Sequence, residues 1–159
     1  MAGSGARELL RIEEAVREMS RVYWDSMVFI YWLENNPAYA PRTEFIFQSM
    51  LSRGDQLCAS HLTIGEVLAG PLKHKSFQTA ASIERFFDSG LVQIQPFDRI
   101  SATGFAQLRA TEKVTPADAI HLACAASSGT DLFLTHDKKL HKLHVPGIQF
   151  IAGLDVNVF

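Results

Sequence analysis

Short apolar runs alternate along this chain with longer runs whose apolar positions recur at helical spacing. The short runs predict five strands, at 22–24, 57–60, 91–94, 132–134 and 148–151. The longer runs predict helices at 26–34, 43–51, 62–69, 76–88, 100–110 and 116–127, and a basic turn at 138–142. Because strands that are apolar throughout must be covered on both faces, the pattern indicates an α/β fold: a three-layer α/β/α sandwich around a parallel five-stranded sheet.

A further helix is predicted before the first strand. Leu9, Ile12, Val16 and Met19 recur at helical spacing, after a leader of Gly, Ser and Ala. We therefore divide the chain into a leader with a short amphipathic helix, 1–20, and one domain, 21–159. No internal repeat or interdomain linker interrupts this domain.

Composition narrows the class of protein without identifying it. The 159 residues are 47% hydrophobic and 20% charged, as is ordinary for one globular domain, and the net charge of −2 neither indicates nor excludes a nucleic-acid partner. The most apolar stretch, 27–33, is far shorter than the roughly 20 residues that span a bilayer, and no secretory signal precedes it, so we expect a cytoplasmic protein. Cys58 and Cys124 lack a metal-ligand spacing and predict two buried thiols.

Four acidic residues carry the candidate chemistry. Asp25, Glu66, Asp118 and Asp137 each stand where a strand or a turn gives way to a helical run. In a parallel α/β domain such junctions lie on one edge of the sheet, so we expect these carboxylates to converge. Carboxylates that meet repel one another unless they are protonated or hold a cation. Such hard oxygen ligands select Mg²⁺ or Mn²⁺ and favour metal-assisted chemistry on a phosphate.

Each acid also has a purely structural interpretation. Asp25 is a good N-cap, Thr63 and Glu66 have the spacing of a capping box, Asp118 falls in the first turn of a helix that opens with Thr-Pro, and Asp137 can cap the following turn. Capping does not exclude coordination, because a helix N-terminus holds a carboxylate rigidly. The apolar surroundings of Asp25 and Asp118 make an ionised acid costly there unless a cation or several donors meet it.

Four motifs, in this order, resemble those of the PIN domain family. They are Tyr-Trp-Asp-Ser at 23–26, Leu-Thr-Ile-Gly-Glu-Val-Leu at 62–68, Thr-Pro-Ala-Asp-Ala-Ile-His-Leu-Ala at 115–123 and Leu-Thr-His-Asp at 134–137. The resemblance covers about 21–151. It implies a sheet ordered 3-2-1-4-5 and a ribonuclease that depends on Mg²⁺ or Mn²⁺, often the toxin of a VapBC-type toxin–antitoxin pair.

The resemblance also implies roles for residues of this chain. It makes the four acids the metal ligands and the catalytic residues for hydrolysis of an RNA phosphodiester, with Ser26 and Thr135 orienting the acids or the attacking water. His121 lies one helical turn after Asp118, and we predict a buried supporting role rather than ligation. The side chain of His136 is expected to alternate away from its neighbours, so it is left out of the site.

Basic and aromatic residues offer further candidates. Lys138, Lys139 and Lys142 form, with two histidines, a basic run beside Asp137 that could bind RNA phosphates or be a solvated turn. The run at 73–75 is a weaker alternative. A set of aromatic residues favours the core or a homodimer face over a base-stacking platform: Phe29, Tyr31, Trp32, Phe45 and Phe47.

The resemblance thus implies an RNA-cleaving enzyme with Mg²⁺ or Mn²⁺ as cofactor and an antitoxin as partner, and we also expect a homodimeric state. Two alternatives stay open. One is a PIN-like binding or assembly module with little catalysis. The other is a receiver-type phosphoacceptor domain, which normally has two acids together after its first strand, whereas Asp25 stands alone. Which RNA is cleaved does not follow from the residues.

Overall fold

The structure, a computed structural model, describes residues 20–159. Five parallel strands form one sheet in the order β3-β2-β1-β4-β5, as predicted. The strands are β1 (Arg21–Trp24), β2 (Gln56–Ser60), β3 (Val92–Gln95), β4 (Thr130–Leu134) and β5 (Ile148–Ala152). The helix predicted over 7–20 lies, except for its last residue, outside the described residues.

Six α-helices connect the strands. They are α1 (Ser26–Leu33), α2 (Ala40–Arg53), α3 (His61–Lys73), α4 (Phe77–Asp88), α5 (Arg99–Thr111) and α6 (Pro116–Ser127), and a 3₁₀ turn follows at Leu140–Lys142. The predicted end of α3 before Gly70 is wrong, because the helix continues through a buried Pro71. A proline removes its own backbone donor and its ring crowds the carbonyl four residues earlier. Here the helix nevertheless continues for two more residues, and the ring joins the buried side chains of the helix.

The sheet separates two hydrophobic cores. Trp24 and Phe29 belong to the core on one face, while Tyr23 and Phe133 stack at 5.1 Å between ring centroids in the core on the other. Successive residues of β1 point to opposite faces, so this one short strand contributes to both cores. The aromatic prediction is confirmed for Phe29 and for Phe47, which is also buried.

Cys58 and Cys124 are buried and free, as predicted. Burial raises the pKa of both thiols to about 11, which keeps them protonated and unreactive near neutral pH. Within residues 20–159, none of the helices is both long and apolar enough to traverse a bilayer.

The centre of the sheet positions the candidate site. Trp24 at the end of β1 pairs in register with Leu134 at the end of β4, and the amide of Asp25 donates to the carbonyl of Leu134 at 2.9 Å. Asp25 and Thr135 therefore leave the sheet side by side. The chain passes from β1 toward β2 and β3 in one direction, and β4 and β5 lie in the other, so this is the point where open α/β sheets form a crevice.

Candidate functional site

Asp25 lies at the junction of β1 and α1 and caps the helix, as predicted. One carboxylate oxygen accepts from the amide of Ser26 at 2.8 Å, and the other accepts from the hydroxyl of Thr135 at 2.8 Å. Only 9% of the residue is exposed. Two donors from two different strand ends thus hold a nearly buried carboxylate in one orientation.

Glu66 does not belong to a capping box, so that interpretation is wrong. Strand β2 extends to Ser60, which caps α3 and exchanges hydrogen bonds with Thr63. Glu66 consequently lies one turn further into the helix, with its carboxylate free to face the sheet edge. It accepts from the hydroxyl of Ser26 at 2.9 Å, and its Oε1 lies 2.5 Å from Nε2 of His121.

His121 connects the acids to the interior. It is 2% exposed, and its Nδ1 lies 2.8 Å from the hydroxyl of Tyr23. Its Nε2 contacts Glu66 and also lies 3.2 Å from Oγ of Ser26 and 3.8 Å from Oδ1 of Asp25. The hydrogen bond with His121 is the main cause that lowers the pKa of Glu66. The geometry agrees with the predicted buried supporting role for this histidine.

Asp118 occupies the first turn of α6 in the predicted way. Thr115 is the N-cap, and its hydroxyl accepts from the amide of Asp118 at 3.2 Å. Burial, followed by the negative charges of Asp25 and Asp137, raises the pKa of Asp118 above its usual range, against a lowering by the Thr115 hydrogen bond. Asp118 therefore lies close enough to Asp25 and Asp137, which come from distant parts of the chain, for their charges to disfavour its ionisation.

Asp137 caps the turn that follows β4, as predicted. One carboxylate oxygen accepts from the amide of Lys139 at 3.0 Å, and the amide of Asp137 donates to the hydroxyl of Thr135 at 3.1 Å. Thr135 thus contacts both Asp25 and Asp137. A single buried hydroxyl fixes the relative positions of two acids.

All four acids line one open cavity of about 520 Å³ at this edge of the sheet. Ser26 and His121 complete the polar half of the lining. The other half is apolar and aromatic, and it consists of Met27, Ile30, Tyr31, Ala69 and His136.

The prediction that the side chain of His136 points away from the site is wrong, because His136 lines the cavity. Tyr31 packs against the hydrophobic core, in agreement with the prediction, and it also lines the cavity. Strand alternation ends with β4 at Leu134, so it does not govern the direction of His136 in the turn beyond. Tyr31 lies on α1 and faces the cavity beside His136, at 5.5 Å between ring centroids. The sequence offers one signal for these two positions: Tyr31 lies on the same helix as Ser26, and His136 directly precedes Asp137.

Positive charge does not balance the acids. Within the described part of the chain, none of the four forms an ion pair with a lysine or an arginine. Lys138, Lys139 and Lys142 are exposed and do not line the cavity. The run at 73–75 is exposed at the end of α3.

The donor chemistry fits a hydrated divalent cation better than a protein cage. No three His, Cys, Asp or Glu side chains among residues 20–159 are grouped so that they could hold one ion together. Mg²⁺ usually keeps several waters and takes only one or two carboxylates directly. Carboxylates that repel one another around an open cavity, with waters filling the remaining positions, meet that requirement.

Comparisons with known families and proteins give one match by sequence. The PIN domain family matches residues 22–145, which include all four acids. No curated protein matches the chain.

Solved structures match the fold at low sequence identity. VapBC2 from Rickettsia felis, bound to a DNA fragment from its promoter, has a TM-score of 0.65 at 14% identity, with 84% of this chain and 98% of that chain covered. A toxin–antitoxin complex from Klebsiella pneumoniae has a TM-score of 0.63 at 19% identity, covering 87% and 98%. VapC20 from Mycobacterium tuberculosis, a sarcin-ricin loop cleaving toxin, has a TM-score of 0.62 at 12% identity, covering 74% and 90%.

Proposed function

The chain belongs to the PIN domain family, and from this premise we propose that it is a divalent-metal-dependent endoribonuclease that acts as the toxin of a VapBC-type pair. One observation carries the proposal: Asp25, Asp118 and Asp137 meet at the switch point of the sheet without a lysine or arginine partner in the described chain. Two of the structurally similar proteins are toxin–antitoxin complexes and a third cleaves the sarcin-ricin loop.

The four acids are proposed to bind the ion in two different ways. Asp25 and Asp118 are proposed as direct ligands, and Glu66 and Asp137 as ligands through water. When bound, Mg²⁺ or Mn²⁺ supplies Lewis-acid polarisation of a phosphoryl oxygen and a more acidic water. The chain itself holds the carboxylates in place: Thr135 donates to Asp25, and Ser26 donates to Glu66.

Substrate binding uses the surroundings of the acids. The cavity of about 520 Å³ is large enough for one nucleotide. Lys138, Lys139 and Lys142 are proposed to contact phosphates that flank the scissile bond, which would make binding weaken steeply with salt. The proposal also includes an antitoxin that covers the cavity. It further includes a homodimeric state and a cytoplasmic location.

The strand order decides against the receiver alternative. A receiver-type sheet has the order 2-1-3-4-5, whereas this sheet has the order 3-2-1-4-5. The other alternative, a PIN-like binding module with little catalysis, is distinguished from an enzyme by the following cleavage experiment.

The deciding experiment incubates the full chain with a single-stranded RNA in Mg²⁺, in Mn²⁺ and in EDTA, with a DNA of the same sequence as control. We expect cleavage of the RNA with either ion and none in EDTA. Binding of RNA without cleavage in either ion would instead support the binding module. Equal cleavage with and without EDTA would contradict the metal-dependent mechanism.

A further inference from the structure

The cavity that holds the acids has a second, aromatic side to which the proposed hydrolysis assigns no role. Tyr31 and Tyr39 lie 4.6 Å apart between ring centroids, Tyr39 and His136 lie 4.6 Å apart, and Tyr31 and His136 meet edge to face at 5.5 Å. The three rings come from α1, from the residue before α2 and from the turn after β4. We call them the aromatic cluster.

The aromatic cluster is anchored to the core and yet open to the cavity. Tyr31 and Tyr39 pack against the hydrophobic core on one face of the sheet, but each of the three rings is only half-buried. Tyr31 and His136 line the cavity together with Met27, which is 42% exposed, and Ile30. Rings that support one another in this way keep their orientation without a ligand.

The two sides of the cavity have opposite chemical preferences. The side with Asp25, Glu66, Asp118 and Asp137 repels a bare phosphate and accepts it only with a cation. The aromatic side offers the flat faces of a tyrosine and a histidine ring, and none of the lysines or arginines of the described chain lines it. An unpaired nucleobase is the part of an RNA chain that stacks on such rings, and stacking on tyrosine and histidine is a common means of binding single-stranded RNA.

We propose that Tyr31 and His136, supported from behind by Tyr39, form a nucleobase-binding subsite that stacks the unpaired base next to the phosphate held at the acids. The proposal rests on the proposed ribonuclease function and adds a requirement to it: an extruded base beside the scissile phosphate, held by the rings of this subsite. A continuous duplex keeps its bases stacked on one another and cannot present one to the cluster. Contacts to ring faces alone do not read the sequence, so the subsite requires a base without selecting which one.

The test compares Tyr31→Ala with Tyr31→Phe in the full chain, with a single-stranded RNA and the same RNA carrying one abasic position beside the cleaved bond. Tyr31→Ala is expected to raise KM about 10-fold, with a smaller effect on kcat. Tyr31→Phe keeps the ring, so its KM should stay near that of the wild type. Phe77→Ala is the matched control, because Phe77 is 66% exposed and lies outside the cavity.

A double-mutant cycle isolates the stacking contact from a general structural effect. The abasic RNA should bind the wild type about as weakly as the intact RNA binds Tyr31→Ala, and combining the two changes should add little. The melting temperature of each variant reports whether the fold is retained. Equal KM values for Tyr31→Ala and Tyr31→Phe, fully additive effects, or equal cleavage of a continuous duplex would overturn the subsite.

Failure of the subsite is distinguishable from failure of the enzyme. If the wild type cleaves RNA and Tyr31→Ala does so with unchanged KM, the ribonuclease stands and only the subsite is wrong. If the wild type binds RNA without cleaving it, anisotropy with the same RNAs and variants still decides the subsite. If the wild type neither binds nor cleaves RNA, both proposals are wrong.

Discussion

Acidic residues lie at both ends of the central strands, but their surroundings differ. At the amino end, a carboxylate oxygen of Asp55 lies 3.2 Å from Nε of Arg53, and the other accepts from the amide of Ser20 at 3.2 Å. Asp131 accepts from the amide of Arg21 at 2.7 Å. At the carboxyl end, the four acids of the cavity have no lysine or arginine partner within residues 20–159.

The difference shows how one residue type serves two purposes. A carboxylate that lies beside a cation or accepts from the first amide of β1 ties chain segments together and so contributes to stability. For Asp55 this contribution is opposed by burial, which raises its pKa. A carboxylate that is held near others of the same charge raises the free energy of the folded state and leaves its lone pairs open to a mobile ion. Replacements at the amino end should therefore alter stability, and replacements at the carboxyl end should alter activity.

Asp25→Asn is expected to have the largest effect. If Asp25 binds the ion directly, as proposed, its replacement should lower RNA cleavage by about 100-fold or more. The fold should persist, because asparagine is as good an N-cap as aspartate. Cleavage rates in Mn²⁺ and the melting temperature are the measurements, with Asp131→Asn as the matched control at the other end of the sheet. Comparable cleavage rates for the two variants would contradict the proposed difference between the carboxyl and amino ends of the strands.

The second-largest expected effect is on stability: metal binding should raise the free energy of unfolding of the wild type. A ligand at 100 times its Kd adds about 2.7 kcal/mol to the free energy of unfolding. Thermal denaturation in saturating Mn²⁺ and in EDTA should show this difference for the wild type and for Asp131→Asn, but not for Asp25→Asn. If Asp25→Asn gains as much stability from Mn²⁺ as the control does, the ion binds elsewhere.

Asp131→Ala tests the opposite end. It leaves the half-buried amide of Arg21 without its acceptor, which should cost about 1 kcal/mol of stability and lower the melting temperature by about 2–4 °C. Cleavage should be unchanged. Asp131→Asn keeps an oxygen that can accept the same hydrogen bond, so its loss should be smaller. A drop in activity with unchanged stability in Asp131→Ala would contradict the comparison.

What the sequence could predict was the part governed by local rules and by the resemblance. The junctions at Asp25, Asp118 and Asp137 follow from apolar strands meeting capped helices, and their caps were predicted correctly. The strand order came from the resemblance to PIN domains and is confirmed.

The incorrect predictions concern positions where local sequence permits more than one structure and tertiary contacts determine which one forms. Ser60 and Thr63 can both cap a helix, and only the length of β2 makes Ser60 the cap and leaves Glu66 facing the cavity. Strand alternation predicts the direction of His136 only if β4 reaches it, and β4 ends at Leu134. Tyr31 belongs to an apolar run, which predicts its contact with the core but not that the same ring also lines an open cavity.

Asp118→Asn should have the smallest effect on stability, and its sign is informative. Burial and the neighbouring aspartates raise the pKa of Asp118 in the folded state. The folded state is therefore penalised for ionising this group at every pH above the raised pKa. The penalty shrinks as the pH falls and is absent below the unfolded pKa of about 3.9.

In EDTA at neutral pH, Asp118→Asn should then melt about 1 °C above the wild type. The gain is small because a carboxylate in the first turn of α6 also interacts favourably with the helix dipole. The difference should disappear on acidification and reverse in Mn²⁺, since the ion stabilises only the protein that keeps the ligand. Melting curves from acidic to neutral pH, with and without Mn²⁺, measure the gain in EDTA, its loss on acidification and its reversal in Mn²⁺. A wild type that is the more stable protein in EDTA at neutral pH would mean that the charge of Asp118 is already satisfied within the chain, and the case for a mobile cation between the aspartates would lose its energetic basis.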